Sequence, residues 1–144
     1  MLKGIPGILS PELLKVLMEM GHGDEIVLAD GNFPAASIAN KLIRCDGHNI
    51  PELLDAILKL FPLDPYVDSP VALMQVVPGD PVETPIWDVY KDIVRKHEPE
   101  NNKFENIERF AFYERAKKAY AVVATGEKAL YANIILKKGV VVEK

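Results

Sequence analysis

Apolar and polar positions divide the chain into amphipathic segments and short apolar runs. The first amphipathic segment follows Ser10 and Pro11, with apolar residues at helical spacing as far as Met20. This pattern predicts a helix with Ser10 as N-cap and Pro11 as first residue. Gly21 is expected to take the left-handed conformation that ends it. Three further helices are predicted, namely residues 51–60, a helix from Thr84-Pro85 onwards, and residues 112–118.

The short apolar runs are typical of strands buried on both faces. The clearest is residues 25–29, which stops at the turn signal of residues 30–34. The other strands are predicted at residues 71–77, 104–108, 120–124, 134–136 and 140–142. Alternating helices and buried strands predict an α/β fold, a single three-layer domain over residues 1–144 with a mostly parallel or mixed central sheet flanked by helices. Ligands tend to bind at the carboxyl ends of such strands, which is where Asp30 is expected.

Composition narrows the class of protein. The chain has 144 residues, of which 49% are hydrophobic, enough for one domain with a substantial core. Its net charge is −4 and its basic residues are dispersed, so no nucleic-acid partner is indicated. No secretory signal or membrane-spanning run is visible, so we expect a cytoplasmic protein without a membrane partner. The single cysteine, Cys45, is expected to be a small buried hydrophobe.

Two residues near the first strand are candidates for chemistry. His22 follows the end of the first helix, where an imidazolium can act as a cap, but histidine is also the usual general acid or base near neutral pH. Asp30 can cap the turn that follows it. Alternatively, its carboxylate can bind ligand hydroxyl groups or orient the histidine.

Polar residues in the second half of the chain also have two interpretations. Arg109 can be a salt-bridged surface residue or a ligand-binding one. Tyr131 and Asn133 alternate around Ala132, so they are expected to point to one side of the chain, either as a wet strand edge or as part of a site.

Several classes of site have no support in the sequence. The three histidines are far apart, without the short spacing of a metal site, and no metal or cofactor is expected. No glycine-rich phosphate loop and no serine-hydrolase elbow occurs. These residues therefore indicate a polar site that works without a metal, for a substrate that the local chemistry does not identify.

Five segments in this order resemble the D-ribose pyranase and L-fucose mutarotase family over nearly the whole chain. They are residues 20–25, Asp30 with residues 33–35, residues 44–47, residues 109–115 and residues 131–140. The Gly-His-Gly-Asp and Phe-Ala-Phe-Tyr-Glu-Arg sequences are closest to the L-fucose mutarotases. Ala132 replaces a glycine of that branch and Asn32 stands where histidine can occur, and both differences bear on sugar preference.

The resemblance implies a role for each candidate residue. His22 matches the proton donor, whereas Asp30, Arg109 and the Tyr131-Ala132-Asn133 segment match sugar-binding positions. Tyr131 is the expected catalytic partner at the anomeric hydroxyl, with Asp30 as the alternative. Phe33 or Tyr113 is expected against an apolar face of the sugar.

The implied activity is interconversion of the α and β anomers of L-fucose, with ribose pyranose and furanose forms as further candidates. The family also implies a homo-oligomeric ring with sites near subunit contacts. Two alternatives stay open at this point. One is a non-catalytic sugar-binding or transport-accessory protein on the same fold, and the other is an unrelated α/β enzyme acting on a phosphorylated sugar.

Overall fold

The computed structural model describes residues 1–143, which form five helices and six strands. In chain order these are α1 (Pro11–Glu19), β1 (Glu25–Ala29), α2 (Ala35–Ile38), β2 (Leu42–Cys45), α3 (Ile50–Leu58), β3 (Val71–Met74), α4 (Pro85–His97), β4 (Phe104–Ile107), α5 (Arg109–Lys118), β5 (Ala121–Thr125) and β6 (Ile134–Lys137).

The six strands form one mixed sheet in the order β2-β5-β1-β6-β3-β4. Pairing is parallel between β1 and β5, β2 and β5, and β3 and β4. Strand β6 lies between β1 and β3 and is antiparallel to both. The predicted α/β class with a mixed sheet is therefore confirmed.

Helices cover both faces of the sheet because its central strands bury alternate residues on opposite sides. Ile26 and Leu28 pack into the core formed with α1, α3 and α4. Val27 and Ala29 face the second core, where Phe112 of α5 packs. This is the predicted three-layer arrangement. Cys45 is buried as expected.

The N-terminal helix begins as predicted but ends differently. The Ser10 side chain accepts a hydrogen bond from the backbone N–H of Leu13. At the other end, Met20 is extended, and the left-handed conformation is found at Gly23, with φ of 89°, rather than at Gly21. The ammonium group of Lys138 donates to the carbonyls of Leu17 and Met20. A cation more than a hundred residues away in sequence therefore satisfies this helix end.

Other boundaries also differ from the pattern. Residues 140–142 form no strand, because β6 already lies between two neighbours and its sheet pairing ends there; Val141 and Val142 are 72% and 79% exposed. Helix α5 begins at Arg109, earlier than residue 112, because Glu108 accepts hydrogen bonds from the first backbone N–H groups of the helix. The short elements α2 and β2 carry no clear periodicity, and the sequence pattern did not predict them.

A buried carboxylate fixes the connection between β5 and β6. Glu127 is 8% exposed. Its Oε1 accepts a hydrogen bond from the backbone N–H of Ile50 at the start of α3, at 3.2 Å. Its Oε2 accepts from the N–H groups of Lys128 and Ala129, at 3.0 and 3.1 Å. The side chain therefore ties this loop, which continues into residues 131–133, to a helix.

We expect Glu127→Gln to lower the free energy of unfolding by about 2 kcal/mol, because an NH₂ group replaces one acceptor oxygen in front of buried N–H donors. Urea unfolding at one fixed protein concentration measures the change. The control is Glu100→Gln, an exposed glutamate, for which a change within about 0.5 kcal/mol is expected. Equal stability of the two variants would contradict the role assigned to Glu127.

Candidate functional site

A cavity of about 280 Å³ opens at the edge of the sheet where β1 and β3 end. Because β6 is antiparallel to them, its amino end reaches the same edge. The cavity is smaller than the pockets that hold drug-sized ligands, about 300–1,000 Å³, and suits a compact polar molecule. Its lining is made of polar and aromatic or aliphatic side chains, namely Asp30, Asn32, Phe33, Met74, Val77, Asp80, Arg109, Tyr113, Leu130, Tyr131 and Asn133.

The segment Tyr131-Ala132-Asn133 is held by two donors from α4. Tyr131 has φ of 54°, a left-handed conformation that side chains other than glycine rarely adopt. The indole N–H of Trp87 donates to the Tyr131 carbonyl at 2.8 Å, and the hydroxyl of Tyr90 donates to the Ala132 carbonyl at 2.7 Å. Such strain persists only where surrounding contacts enforce it, and it is concentrated at functional sites.

Asp30 holds the same segment from the other side. Its Oδ2 accepts from the N–H of Ala132 at 3.3 Å and its Oδ1 accepts from the N–H of Asn32 at 3.0 Å. Burial raises the pKa of the Asp30 carboxyl above its ordinary value, although hydrogen bonds from Asn32 and Ala132 oppose the shift. Asp30 therefore caps the turn, as one interpretation predicted, and it also lines the cavity.

Asn133 presents a donor to the cavity. Its Oδ1 accepts a hydrogen bond from the backbone N–H of Asp30 at 2.7 Å, which identifies the oxygen of the side-chain amide. Within residues 1–143 no acceptor is paired with its Nδ2. The amide therefore has a donor left for a ligand oxygen.

Arg109, the first residue of α5, also lines the cavity. Its Nε donates to the Tyr113 hydroxyl at 3.3 Å, and its guanidinium lies over the rings of Phe110 and Tyr113, 5.4 and 5.6 Å from their centroids. No carboxylate of residues 1–143 is within salt-bridge distance of it, so the salt-bridged interpretation is wrong. The aromatic rings orient the guanidinium and leave its terminal nitrogens available.

Phe33 and Tyr113 form the aromatic part of the lining, as expected. Their rings contact edge to face, with centroids 5.7 Å apart. An apolar face of a small ligand can lie against them.

The sequence pattern missed three residues that shape the site. Trp87 and Tyr90 belong to the helix predicted from Thr84-Pro85 onwards, and the helical pattern assigned them no polar role. Their polar atoms nevertheless donate to the carbonyls of residues 131 and 132. Asp80 lies in a Pro-Gly-Asp-Pro turn and accepts a hydrogen bond from the Tyr131 hydroxyl at 2.7 Å. The only signal for Asp80 was the turn itself, which predicts no chemistry.

The structure does not bring His22 to this cavity. His22 precedes β1 and Asp30 follows it, so the five residues of β1 separate them. At about 3.4 Å per residue, the two edges of the sheet are roughly 17 Å apart. Within one chain, His22 and Tyr131 therefore cannot act on the same small ligand.

His22 has a partner of its own at the opposite edge. Its Nε2 lies 3.0 Å from Oδ1 of Asp64, whose side chain is 4% exposed, and its ring is 5.3 Å from that of Tyr66. Burial raises the pKa of Asp64, but hydrogen bonds from the Tyr66 N–H and from His22 outweigh it, so the pKa lies below its ordinary value. A charged carboxylate only accepts, so Nε2 carries the hydrogen that it donates to Asp64, and Nδ1 is the nitrogen that Asp64 does not engage.

Two expectations about His22 are thereby corrected. The end of α1 is capped by Lys138 rather than by His22. The carboxylate that orients the imidazole is Asp64 rather than Asp30, because Asp30 lies at the other edge of the sheet. The side chain of His22 is 44% exposed, and it does not line its own chain's cavity.

Within residues 1–143, no group of three or more His, Cys, Asp or Glu side chains is arranged to hold a metal ion. No helix in the same range has the length and apolar character needed to cross a bilayer.

Comparison with known proteins identifies the family. The profile described as the RbsD / FucU transport protein family matches residues 3–141. The chain belongs to this family. A fucose mutarotase from Homo sapiens is 59% identical over 145 residues, covering 96% of this chain and 94% of the relative. An L-fucose mutarotase from Actinobacillus pleuropneumoniae serotype 5b (strain L20) is 56% identical over 140 residues, covering 97% of both chains.

A solved structure of a fucose mutarotase is similar to this chain over almost its whole length. The crystal structure of the fucose mutarotase from Streptococcus pneumoniae in complex with L-fucose is 64% identical in sequence. Its TM-score is 0.93, and the match covers 98% of this chain and 100% of that one. The predicted resemblance is confirmed.

We expect Tyr90→Phe to lower the free energy of unfolding by about 1–3 kcal/mol, because it leaves the buried Ala132 carbonyl without a donor. The matched control is Tyr120→Phe, whose hydroxyl bonds Lys41 and Glu19 at the surface, with an expected change within about 0.5 kcal/mol. Urea unfolding of both variants is the measurement. If the two variants lose the same free energy of unfolding, Tyr90 does not hold the segment Tyr131-Ala132-Asn133.

Proposed function

We propose that this protein is an isomerase that interconverts the α and β anomers of L-fucose. The observation that carries the proposal is the full-length similarity to a fucose mutarotase whose structure contains L-fucose. The cavity supports it, because it combines oriented polar groups with an aromatic wall at a size that suits one monosaccharide. A cytoplasmic location and exchange of ribose forms remain predictions of the same proposal.

Mutarotation opens a cyclic hemiacetal to its aldehyde and closes it on the other face. A proton must leave the anomeric hydroxyl while another arrives at the ring oxygen. Tyr131 is the proposed group at the anomeric hydroxyl, and Asp30, Arg109, Ala132 and Asn133 bind the rest of the sugar. Positioned acid–base groups supply about 10²–10⁴-fold acceleration, a scale that suits a reaction already occurring in water.

The donor to the ring oxygen is His22 of a second copy of the chain. Each copy has the cavity at one edge of its sheet and His22 at the other, so a complete site needs both edges from two copies. Exposed side chains support such a contact. Tyr66, beside His22, is 73% exposed, and Phe110 and Leu130, at the cavity edge, are 65% and 52% exposed.

This contact joins the cavity edge of one copy to the His22 edge of the next. Each copy therefore binds one neighbour through its cavity edge and another through its His22 edge. A head-to-tail contact of this kind produces a closed ring when its rotation closes. We therefore propose a homo-oligomeric ring with one sugar site at each subunit contact.

The activity is tested by saturation-transfer NMR between the anomer signals of L-fucose, ribose and galactose, with and without protein. We expect the wild type to accelerate exchange of L-fucose, and His22→Ala and Tyr131→Phe each to lose about 10²-fold or more. The matched controls are His48→Ala, which removes an exposed histidine paired with Glu52, and Tyr120→Phe. Both controls keep the wild-type rate.

Three outcomes contradict this proposal in different ways. A wild type that binds L-fucose but leaves exchange at the spontaneous rate is a sugar-binding or transport-accessory protein. A wild type that binds none of the three sugars supports an unrelated activity. Full exchange activity in both His22→Ala and Tyr131→Phe removes the catalytic roles of these residues.

A mixing experiment tests whether two copies share a site. Co-expressed His22→Ala and Tyr131→Phe chains form contacts in which an intact cavity meets an intact His22. Random pairing in a ring restores about a quarter of the sites, whereas each variant alone stays inactive. Light scattering of the same samples measures the oligomer. Mixed oligomers without restored activity would contradict a site shared by His22 of one copy and Tyr131 of another.

A further inference from the structure

We propose that Asp80 is a positioning residue for the reaction and acts through Tyr131: it accepts the hydroxyl proton of Tyr131 as Tyr131 receives the proton of the anomeric hydroxyl. Its carboxylate holds the hydroxyl hydrogen of Tyr131, so that the phenol oxygen faces the sugar as an acceptor. It then takes that hydrogen when the sugar's proton reaches Tyr131. This inference rests on the proposed mutarotase function and identifies the base that the function requires.

The hydrogen bonds of Tyr131 define the direction of transfer. A tyrosine hydroxyl has one hydrogen and two acceptor positions. Its hydrogen is donated to Oδ2 of Asp80 at 2.7 Å, and one acceptor position receives the backbone N–H of Val77 at 3.3 Å. One acceptor position is left, and Tyr131 lines the cavity. A sugar hydroxyl in the cavity can therefore donate to Tyr131 but cannot receive its hydrogen.

Tyr131 does not act as a base by itself in this environment. Its pKa lies above the ordinary value of 10.0, with the hydrogen bond to Asp80 as the largest cause, while the N–H of Val77 and the charge of Arg109 act in the opposite direction. The hydroxyl consequently keeps its hydrogen near neutral pH. A second group must receive that hydrogen, and Asp80 is the carboxylate bonded to it.

The turn that carries Asp80 fixes its position. Gly79 has φ of 88°, and the N–H of Asp80 donates to the Val77 carbonyl at 3.0 Å. Pro78 and Pro81 flank the two residues, and each proline ring fixes its own backbone φ. Val77 thus bonds both Asp80 and Tyr131, which joins the turn to the strained segment on the other side of the cavity.

The proton balance of the step is complete. On ring opening, the anomeric O–H bond breaks and its proton passes to Oη of Tyr131, as the original Tyr131 proton passes to Oδ2 of Asp80. The electron pair left on the anomeric oxygen forms the carbonyl bond. The C1–ring-oxygen bond breaks, and its electron pair takes a proton from His22 of the second copy. Reclosure on the other face reverses each transfer, so nothing is oxidised or consumed.

Asp80→Asn tests the proposal, because an asparagine oxygen can still accept the Tyr131 hydrogen bond but cannot take the proton. We expect the exchange rate of L-fucose at saturation to fall about 10²-fold, with the dissociation constant for L-fucose changed less than about threefold. Asp80→Glu restores a carboxylate and is expected to recover part of the rate. The matched control is Asp88→Asn, an exposed aspartate of α4 outside the cavity lining.

A pH profile separates proton transfer from a structural role. The charged groups that act on Tyr131 are Asp80 and Arg109, and the carboxylate of Asp30 also lines the cavity. Removal of the carboxylate in Asp80→Asn is expected to change the shape of the pH profile of the enzyme-dependent rate, whereas a purely structural defect lowers the rate at every pH alike.

The outcomes distinguish this inference from the function on which it rests. An active wild type with a fully active Asp80→Asn variant overturns the proposed proton transfer from Tyr131 to Asp80, and it leaves the mutarotase function intact. If Asp80→Asn loses affinity for L-fucose in parallel with the exchange rate, or if its pH profile matches that of the wild type, the proposed proton transfer is also overturned. Asp80 then only holds the sugar or the loop. A wild type without exchange activity overturns both proposals.

Discussion

The reversal of one strand determines where the chemistry of this chain can lie. Five strands of the sheet run in one direction, and β6 runs against them between β1 and β3. Its amino end therefore reaches the edge where β1 ends. There the side-chain Oδ1 of Asn133 accepts a hydrogen bond from the backbone N–H of Asp30 at 2.7 Å. A parallel β6 would have put Tyr131 and Asn133 at the opposite edge, beside His22. The cavity exists because of this pairing, and its polar lining follows from the residues that precede β6.

The cavity is organised before any ligand arrives. Tyr131 has an unfavourable backbone conformation, and Trp87, Tyr90 and Asp30 hold the carbonyl and N–H groups around it. Because the protein has already ordered these groups during folding, their ordering adds little to the free energy of sugar binding. Glu127 extends the same network to α3, so the segment is tied to helices on one face and to the strand end of β1. A preorganised polar site also stabilises developing charge without having to rearrange.

The parts of this arrangement that local pattern controls could be predicted from the sequence. The apolar run of β1 and the turn after it placed Asp30 at a strand end, and the family motifs identified the residues around it. The local sequence pattern does not indicate which side chains that are far apart in sequence come into contact. His22 follows a helix end in sequence, yet Lys138 caps that helix and Asp64 binds the imidazole. Asp80 was similarly hidden in a turn, because its partner Tyr131 is 51 residues away.

The separation of His22 from the cavity of its own chain has a chemical consequence. Ring opening needs an acid at one oxygen of the sugar and a base at another, so the acid and the base have to be held at different positions around the sugar. Here Asp64 engages one nitrogen of His22, and the Tyr131 hydroxyl engages Asp80. In the proposed site the two sets belong to different copies, so only a bound sugar connects them. The proposed ring of subunits would then do more than bury apolar surface, because each proposed contact between copies would assemble one complete pathway for the proton.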